Sequence, residues 1–150
     1  MGDLLIRPAT AADVPAIVAL LADDDIGTGR EDVDDLAPYL AAFAEVDADP
    51  RQLLVVGELD GQVVATMQLT VLPGLSRRGS SRGQIEAVRV AGERRGQGLG
   101  GQLIRWGIEE CRRRGLATVQ LTSDARRLDA RRFYERLGFT ASHIGFKLPL

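Results

Sequence analysis

Gln84-Ile85-Glu86-Ala87-Val88-Arg89-Val90-Ala91-Gly92-Glu93-Arg94-Arg95-Gly96-Gln97-Gly98-Leu99-Gly100-Gly101 passes from an apolar segment through a polar turn into a glycine-rich stretch. Read as strand, turn and helix start, it makes a cradle for phosphate. Glycines at 96, 98 and 100 leave backbone N–H groups unshielded by side chains, and the helix opening there directs the positive end of its dipole at any anion in the turn. Arg94 and Arg95 add full positive charge at the rim.

Spacing separates three kinds of phosphate loop. A Walker-type loop ends in Gly-Lys-Ser/Thr, which Leu99-Gly100-Gly101 does not supply. Gly96, Gly98 and Gly101 do satisfy the dinucleotide spacing, with Asp124 about 20 residues further on, so a dinucleotide-binding protein stands as an alternative. Its context argues against it. That fingerprint opens a helix directly from its strand, whereas Ala91 to Arg95 intervene here, and fewer than 50 residues follow Gly101, too few for the rest of a doubly wound sheet.

The third kind fits better. Arg95-Gly96-Gln97-Gly98-Leu99-Gly100 resembles the Arg/Gln-x-x-Gly-x-Gly/Ala signature of the GNAT superfamily of acyl-CoA N-acyltransferases. Ile85-x-x-Val88-x-Val90 is similar to the strand before that loop, and Ala130-Arg131-Arg132-Phe133-Tyr134-Glu135-Arg136-Leu137-Gly138-Phe139 resembles the family's Ala-x-x-Phe-Tyr-x-x-x-Gly-Phe segment. The specific likeness covers about residues 84 to 146; residues 1 to 75 match only as a general order of strand, helices and two strands.

Along the rest of the chain, Leu4 to Arg7 reads as a strand, and Thr10 caps a helix starting near Ala11. Asp23 to Asp35 is a polar loop, and a second helix runs from about Asp34 to Val46. Leu53 to Glu58 and Val63 to Val71 are strands joined around Asp60-Gly61, a strong hairpin signal. Pro73 to Gly83 forms a flexible crossing. After the cradle strand come a helix from about Gly98 to Arg113, a strand at Ala117 to Thr122, a helix from about Leu128 to Leu137 and a final strand from Phe139 to Lys147. The expected fold is α+β, a GNAT-like mixed and mostly antiparallel central sheet flanked by about four helices, in a single domain over 1–150.

Alternation slips within the cradle strand, where Ile85 is apolar on an odd position but Val88 and Val90 on even ones. A β-bulge near Glu86 and Ala87 accounts for this, as does a strand buried on both faces. The resemblance implies the bulge: it splays two strands apart for the pantetheine arm of acetyl-CoA, held by the backbone near Val88 and Val90, with the Val88 N–H polarising the thioester carbonyl. The diphosphate then lies on Arg94, Arg95, Gly96, Gln97, Gly98, Leu99, Gly100 and Gly101.

Direct transfer from a thioester to an amine needs a deprotonated amine, a stabilised carbonyl oxygen and a proton for the departing thiolate. Glu86 is a candidate base, since an acid in an otherwise apolar strand is costly unless paired or used; an edge carboxylate bonded to Arg89 or a loop arginine is the structural reading. Tyr134 stands one step off the stripe of Ala130, Phe133 and Leu137. Alone, such a tyrosine is a packed residue with a satisfied hydroxyl; the resemblance implies that it protonates the coenzyme A thiolate. Many family members carry Asn where this chain has Arg127, so that contact does not transfer. The Arg127 to Tyr134 stretch, with Ser142-His143, is similar to a subgroup that includes aminoalkylphosphonate N-acetyltransferases, which implies a small primary amine as acceptor. The loops that would select it, Asp23 to Tyr39 and Pro73 to Gly83, carry no match.

Composition bounds the rest. At 150 residues and 45% hydrophobic content a core needs no staple. One cysteine, Cys111, excludes an internal disulfide and reads as a packed thiol. Trp106 reads as packing, and His143 as a strand-edge or partly buried imidazole; no metal ligand set is placed. Net charge is −2, yet residues 1 to 50 hold twelve acids against two arginines while 76 to 136 hold fifteen arginines against seven acids. The basic half suits an anionic ligand and the acidic half a cationic acceptor. Few aromatics and a pI near 5.4 give nucleic-acid binding no support. No apolar run spans a membrane and no leader opens the chain, so a cytoplasmic place is expected. The resemblance also implies a homodimer. A module that binds coenzyme A without catalysis is the alternative to the enzyme.

Overall fold

Asp60 and Gly61 both adopt left-handed backbone, with φ of 53° and 76°. They close a two-residue hairpin between β2 (Gln52–Leu59) and β3 (Gln62–Leu72) in the computed structural model, which describes residues 2–23 and 29–150. β1 (Leu5–Pro8) pairs antiparallel with β2, and β4 (Arg82–Val90) antiparallel with β3. β5 (Thr118–Leu121) adjoins β4, completing a five-stranded sheet in sequence order. The Ala117 N–H donates to the Ser81 carbonyl at 2.9 Å and the Gln120 amide to Gln84 at 3.0 Å, so numbers rise together on the two strands and β5 runs parallel to β4. The mixed, mostly antiparallel sheet is as expected.

Helices α1 (Val14–Ala22) and α2 (Ala37–Ala48) precede β2, a single turn α3 (Ser76–Gly79) joins β3 to β4, α4 (Leu99–Arg113) joins β4 to β5, and α5 (Leu128–Arg136) follows. Four of these are nine residues or longer among the described residues, matching the expected number. Two starts differ from the sequence reading. Residues 11–13 form a 3-10 turn ahead of α1, held by Asp13, whose carboxylate accepts from the Thr10 N–H at 2.7 Å. α2 begins at Ala37 rather than near Asp34, because Pro38 is tolerated only in a helix's first turn.

The sheet carries apolar side chains on both faces. On one, Val56 packs with Ala9 and Ile17, bordered by Leu21, Phe43, Leu54 and Val63. On the other, Met67 and Ile85 meet α4 where Gly107 lets the helix approach: a Cβ there would lie 3.0 Å from the Met67 methyl and 3.1 Å from Ile85 Cδ1. Leu103 and Ile104 of that helix are fully buried. Each such side chain contributes roughly 1.5–3 kcal/mol on leaving water.

Backbone packing divides the chain into two compact units, Met1–Gln120 and Leu121–Leu150. Within the second, Tyr134 packs edge-on between Phe133 and Phe139, with centroids 5.0 and 5.9 Å away. Gly138, at φ 101°, ends α5, and the Phe139 N–H returns to the Tyr134 carbonyl. The strand expected from Phe139 to Lys147 does not form; that segment is irregular. Apolar residues alternate at Ile144, Phe146 and Leu148, but a strand exists only through its ladder, and none of the described residues supplies one. His143 is accordingly exposed and, among the described residues, bonded to the neighbouring Ser142 hydroxyl, not set at a strand edge.

Candidate active site

The irregularity in the cradle strand is a bulge. Thr66 of β3 faces Arg89 and Gln68 faces Glu86, so one residue of β3, Met67, spans two of β4, Ala87 and Val88. Ala87 adopts φ 54°, a conformation rare for a residue with a Cβ, and turns the strand at this point. The Val88 carbonyl accepts from the Arg89 guanidinium at 2.9 Å. Ala87 and Val88 have no ladder partner on β3, and regular pairing resumes at Arg89.

Beyond the bulge the Ala91 N–H bonds the Val64 carbonyl at 2.8 Å, and a 3-10 turn over Gly92–Arg94 leads to the glycines. Gly98 caps α4 in the left-handed conformation at φ 79°, with nothing within 4 Å of the place a Cβ would occupy. A side chain there would be strained and would take up open space beside the helix's first turn, so glycine keeps a positive, uncrowded helix end. The same open space surrounds Gly96. The residues at this end of α4 can therefore hold a diphosphate: the backbone offers donors, the dipole favours an anion, and the space beside Gly96 and Gly98 is open.

Two contacts fix the cradle that the sequence did not reveal. Asp23, just past α1, accepts from the Gly92 N–H at 3.2 Å, and its carbonyl accepts from the Arg95 guanidinium at 3.0 Å. Arg95 is thus held toward Asp23, while Arg94 is half-buried without an acidic partner among the described residues. Gln102, one turn into α4, accepts from the Leu4 N–H at 3.1 Å and ties the helix to the residue just before β1.

Glu86 lies beside the bulge with its side chain exposed, so the desolvation expected of an acid in an apolar strand does not apply. It bonds Thr70 Oγ1 at 3.5 Å, and no guanidinium stands within ion-pair distance of it among the described residues. Around it the sheet face is polar. Gln52 Oε1 accepts from Gln68 Nε2 and Thr70 Oγ1, both at 2.9 Å. These cross-strand groups went unread because register is invisible until strands are paired. Tyr134 belongs to the second unit, between its two phenylalanines. Of the acceptor loop Asp23 to Tyr39, residues 24–28 lie outside the described residues; further on, the Tyr39 hydroxyl accepts from the Asp32 N–H at 2.9 Å. In the second loop Arg77 and Arg78 have φ of 53° and 61°, left-handed for both.

A bulged strand running into a glycine-capped helix on a mixed sheet is the arrangement that the resemblance to acyl-CoA N-acyltransferases implies, and comparison with known proteins agrees. The profile of the Acetyltransferase (GNAT) family matches residues 15–139; the chain belongs to that family and is an N-acetyltransferase. It is 30% identical to the aminoalkylphosphonate N-acetyltransferase of Salmonella typhimurium over 145 residues, covering 97% of this chain and 90% of that protein. Among solved structures it resembles a transcriptional regulator from Bacillus halodurans C-125, with a TM-score of 0.95 and 42% identity over 98% of this chain and 99% of that one. A Trypanosoma brucei acetyltransferase superposes with a TM-score of 0.80 at 30% identity, covering 99% and 100% of the two chains. No helix of the described residues is long and apolar enough to cross a membrane.

Proposed function

We propose that this enzyme transfers the acetyl group of acetyl-CoA directly to a primary amine of a small molecule. The observation that carries the reading is the succession of bulge and cradle: strand residues without ladder partners at Ala87 and Val88, then an uncovered helix end at Gly98. Backbone from Val88 to Val90 would lie along the pantetheine arm, and Gly96 to Gly101 around the diphosphate. The Val88 N–H polarises the thioester carbonyl, which gains negative charge as the amine attacks.

Glu86 takes the proton from the amine, directly or through one water, as the N–C bond forms. The C–S bond then breaks, and Tyr134 gives its proton to the thiolate. No acyl-enzyme forms. For Glu86 the support is its exposed place beside the bulge; for Tyr134 it is the motif from Ala130 to Phe139. Acceptors that the relatives' names specify, an aminoalkylphosphonate and glucosamine 6-phosphate, are small amines of the proposed kind.

The test is calorimetric binding of acetyl-CoA, followed by release of coenzyme A thiol against an amine panel, with Glu86→Gln and Tyr134→Phe alongside. Each variant is expected to keep acetyl-CoA binding and to lose roughly 10²- to 10⁴-fold in turnover, the usual worth of general acid–base catalysis. Binding without acetylation of any amine would replace the enzyme by a coenzyme A-binding module, and an undiminished Glu86→Gln variant would remove Glu86 from the chemistry.

A further inference from the structure

Two side chains of β3 are placed to hydrogen-bond Glu86, and both aim their hydrogen elsewhere. Gln68 stands directly across the ladder from Glu86, and Thr70 lies on the diagonal, two residues further along β3. Both positions are within reach of a long side chain on the same sheet face. Gln68 nevertheless sends its Nε2 to Gln52 Oε1 on β2, at 2.9 Å. The Thr70 hydroxyl has one hydrogen and two oxygens near it, Gln52 Oε1 at 2.9 Å and Glu86 Oε1 at 3.5 Å. The hydrogen belongs to the shorter bond.

Gln52 Oε1 thus collects both donors, and what Thr70 presents to Glu86 is a lone pair. Thr70 is fixed in this role: it is buried, its branched side chain has few rotamers, and Gln52 is its direct ladder partner. Thr66, on the same strand, gives its hydroxyl hydrogen to the Val55 carbonyl at 2.9 Å, a bond to backbone; Thr70 is turned to side chains instead. Donors aimed at a carboxylate favour its charged form, whereas an acceptor facing it favours the acid. A base that must take up a proton is served by the second arrangement.

We propose that Gln52 is a positioning residue for the acyl transfer, acting through Thr70. It draws the β3 donors away from Glu86 and leaves an acceptor facing that carboxylate. As Glu86 takes the amine's proton, the new carboxyl O–H turns to Thr70 Oγ1, while the Thr70 hydrogen stays on Gln52. When product leaves, the proton passes from the exposed Glu86 to water. This rests on Glu86 being the base; Gln52 and Thr70 neither give nor keep a proton.

The experiment measures kcat and KM for Gln52→Leu, Gln52→Glu, Thr70→Val and Thr70→Ser, each alone and combined with Glu86→Gln. The acceptor is the amine of the panel that wild type acetylates with the highest kcat/KM. Gln52→Leu frees both donors to turn onto Glu86, and Thr70→Val removes the facing oxygen. Each is expected to lower kcat roughly two- to tenfold, the worth of one hydrogen bond formed on the way to the transition state, with KM for the amine and for acetyl-CoA unchanged. Gln52→Glu keeps an acceptor oxygen and Thr70→Ser a hydroxyl, so both are expected to retain most of the rate. In the Glu86→Gln background, assayed at higher enzyme concentration, Gln52→Leu and Thr70→Val are expected to bring no further loss. Should Thr70→Val fail to fold, Gln52→Leu, half-buried at the first position of its strand, carries the test. Losses that persist in the Glu86→Gln background, losses confined to KM, or an undiminished Gln52→Leu overturn the proposal and leave Glu86 as the base. A Glu86→Gln variant as fast as wild type, or a wild type that acetylates no amine, instead fails the reading on which the proposal rests.

Discussion

Cys111 occupies the space that a side chain on Gly83 would need: a Cβ built on Gly83 falls 2.5 Å from the Cys111 sulfur. Strand β4 and helix α4 touch backbone to side chain here, and Leu116 and Leu69 close the other sides at 3.3 and 3.5 Å. Gly83→Ala is therefore overpacked and is expected to cost about 1–3 kcal/mol in urea unfolding. Cys111→Ala removes the obstructing sulfur, so the double variant should be more stable than the sum of the singles, with a coupling near 1 kcal/mol. Additive single effects would mean that the strand shifts instead.

The same contact makes the thiol inert. Cys111 is 1% exposed, and burial pushes its pKa up, so thiolate is scarce as well as inaccessible. Labelling by an aromatic disulfide under native conditions is expected to follow the opening of the fold, accelerating with urea alongside the loss of helix signal. Stoichiometric labelling within seconds in buffer would contradict that packing.

Arg7 and Asp13 lock the first strand to the turn before α1. The guanidinium gives Asp13 two hydrogen bonds, at 2.7 and 2.9 Å, and a third to Glu58 at 3.2 Å. The Arg7 hydrogen bonds draw the Asp13 pKa from 3.8 down to about 2, against the opposing effect of burial. A depressed carboxylate contributes stability that is complete above its unfolded pKa and lost as pH falls through its folded one. About 2 kcal/mol should disappear between pH 4 and pH 2. Asp13→Asn is expected to lose a similar amount at pH 7 and to show a flatter acid limb, with the gap to wild type closing near pH 2. Parallel acid curves for the two proteins would show that the pair carries no such linkage.

Local chemistry made the fold legible wherever one residue type decides a backbone. Asp60-Gly61 announced its hairpin and Gly98 its helix start, because each is a property of adjacent residues; the alternation slip left a bulge and a strand buried on both faces equally open, and the pairing of β3 with β4 decides for the bulge. Groups brought together by pairing stayed hidden: Gln52 with Thr70, Gln84 with Gln120, Asp23 with Gly92. They lie 18, 36 and 69 positions apart. Glu86 was singled out because an acid in an apolar strand is costly, a reason the structure removes, since its side chain is exposed. The final strand misled for the opposite reason. Its alternating sequence satisfies the local pattern, yet the ladder that would make it a strand lies outside local chemistry.

Gly98 carries the binding prediction. Alanine at φ 79° is strained by roughly 1–2 kcal/mol yet meets no atom within 4 Å, so Gly98→Ala should fold. Its methyl would stand in the open space beside the helix end, where the diphosphate is proposed to lie. Acetyl-CoA affinity is expected to fall tenfold or more by calorimetry, with a loss in melting temperature of a few degrees. Gly115, left-handed at φ 72° at the far end of α4, serves as the control. Gly115→Ala bears the same strain and should leave acetyl-CoA binding intact. Equal loss of affinity in both variants would attribute the effect to the helix as a whole rather than to its phosphate-facing end.

Ile144, Phe146 and Leu148 are 84%, 92% and 83% exposed, and they alternate in sequence along an irregular segment that joins no ladder among the described residues. The homodimer implied by the sequence resemblance would have this row as a candidate surface for a second copy. A standard interface needs about 800 Å² from each side, and one aromatic with its aliphatic neighbours supplies a large share of that. The protein is expected to elute at dimer mass by light scattering at micromolar concentration, and Phe146→Glu with Leu148→Glu to shift it toward the monomer. If wild type remains monomeric up to millimolar concentration, the row is solvated and the homodimer implied by the sequence resemblance falls with it.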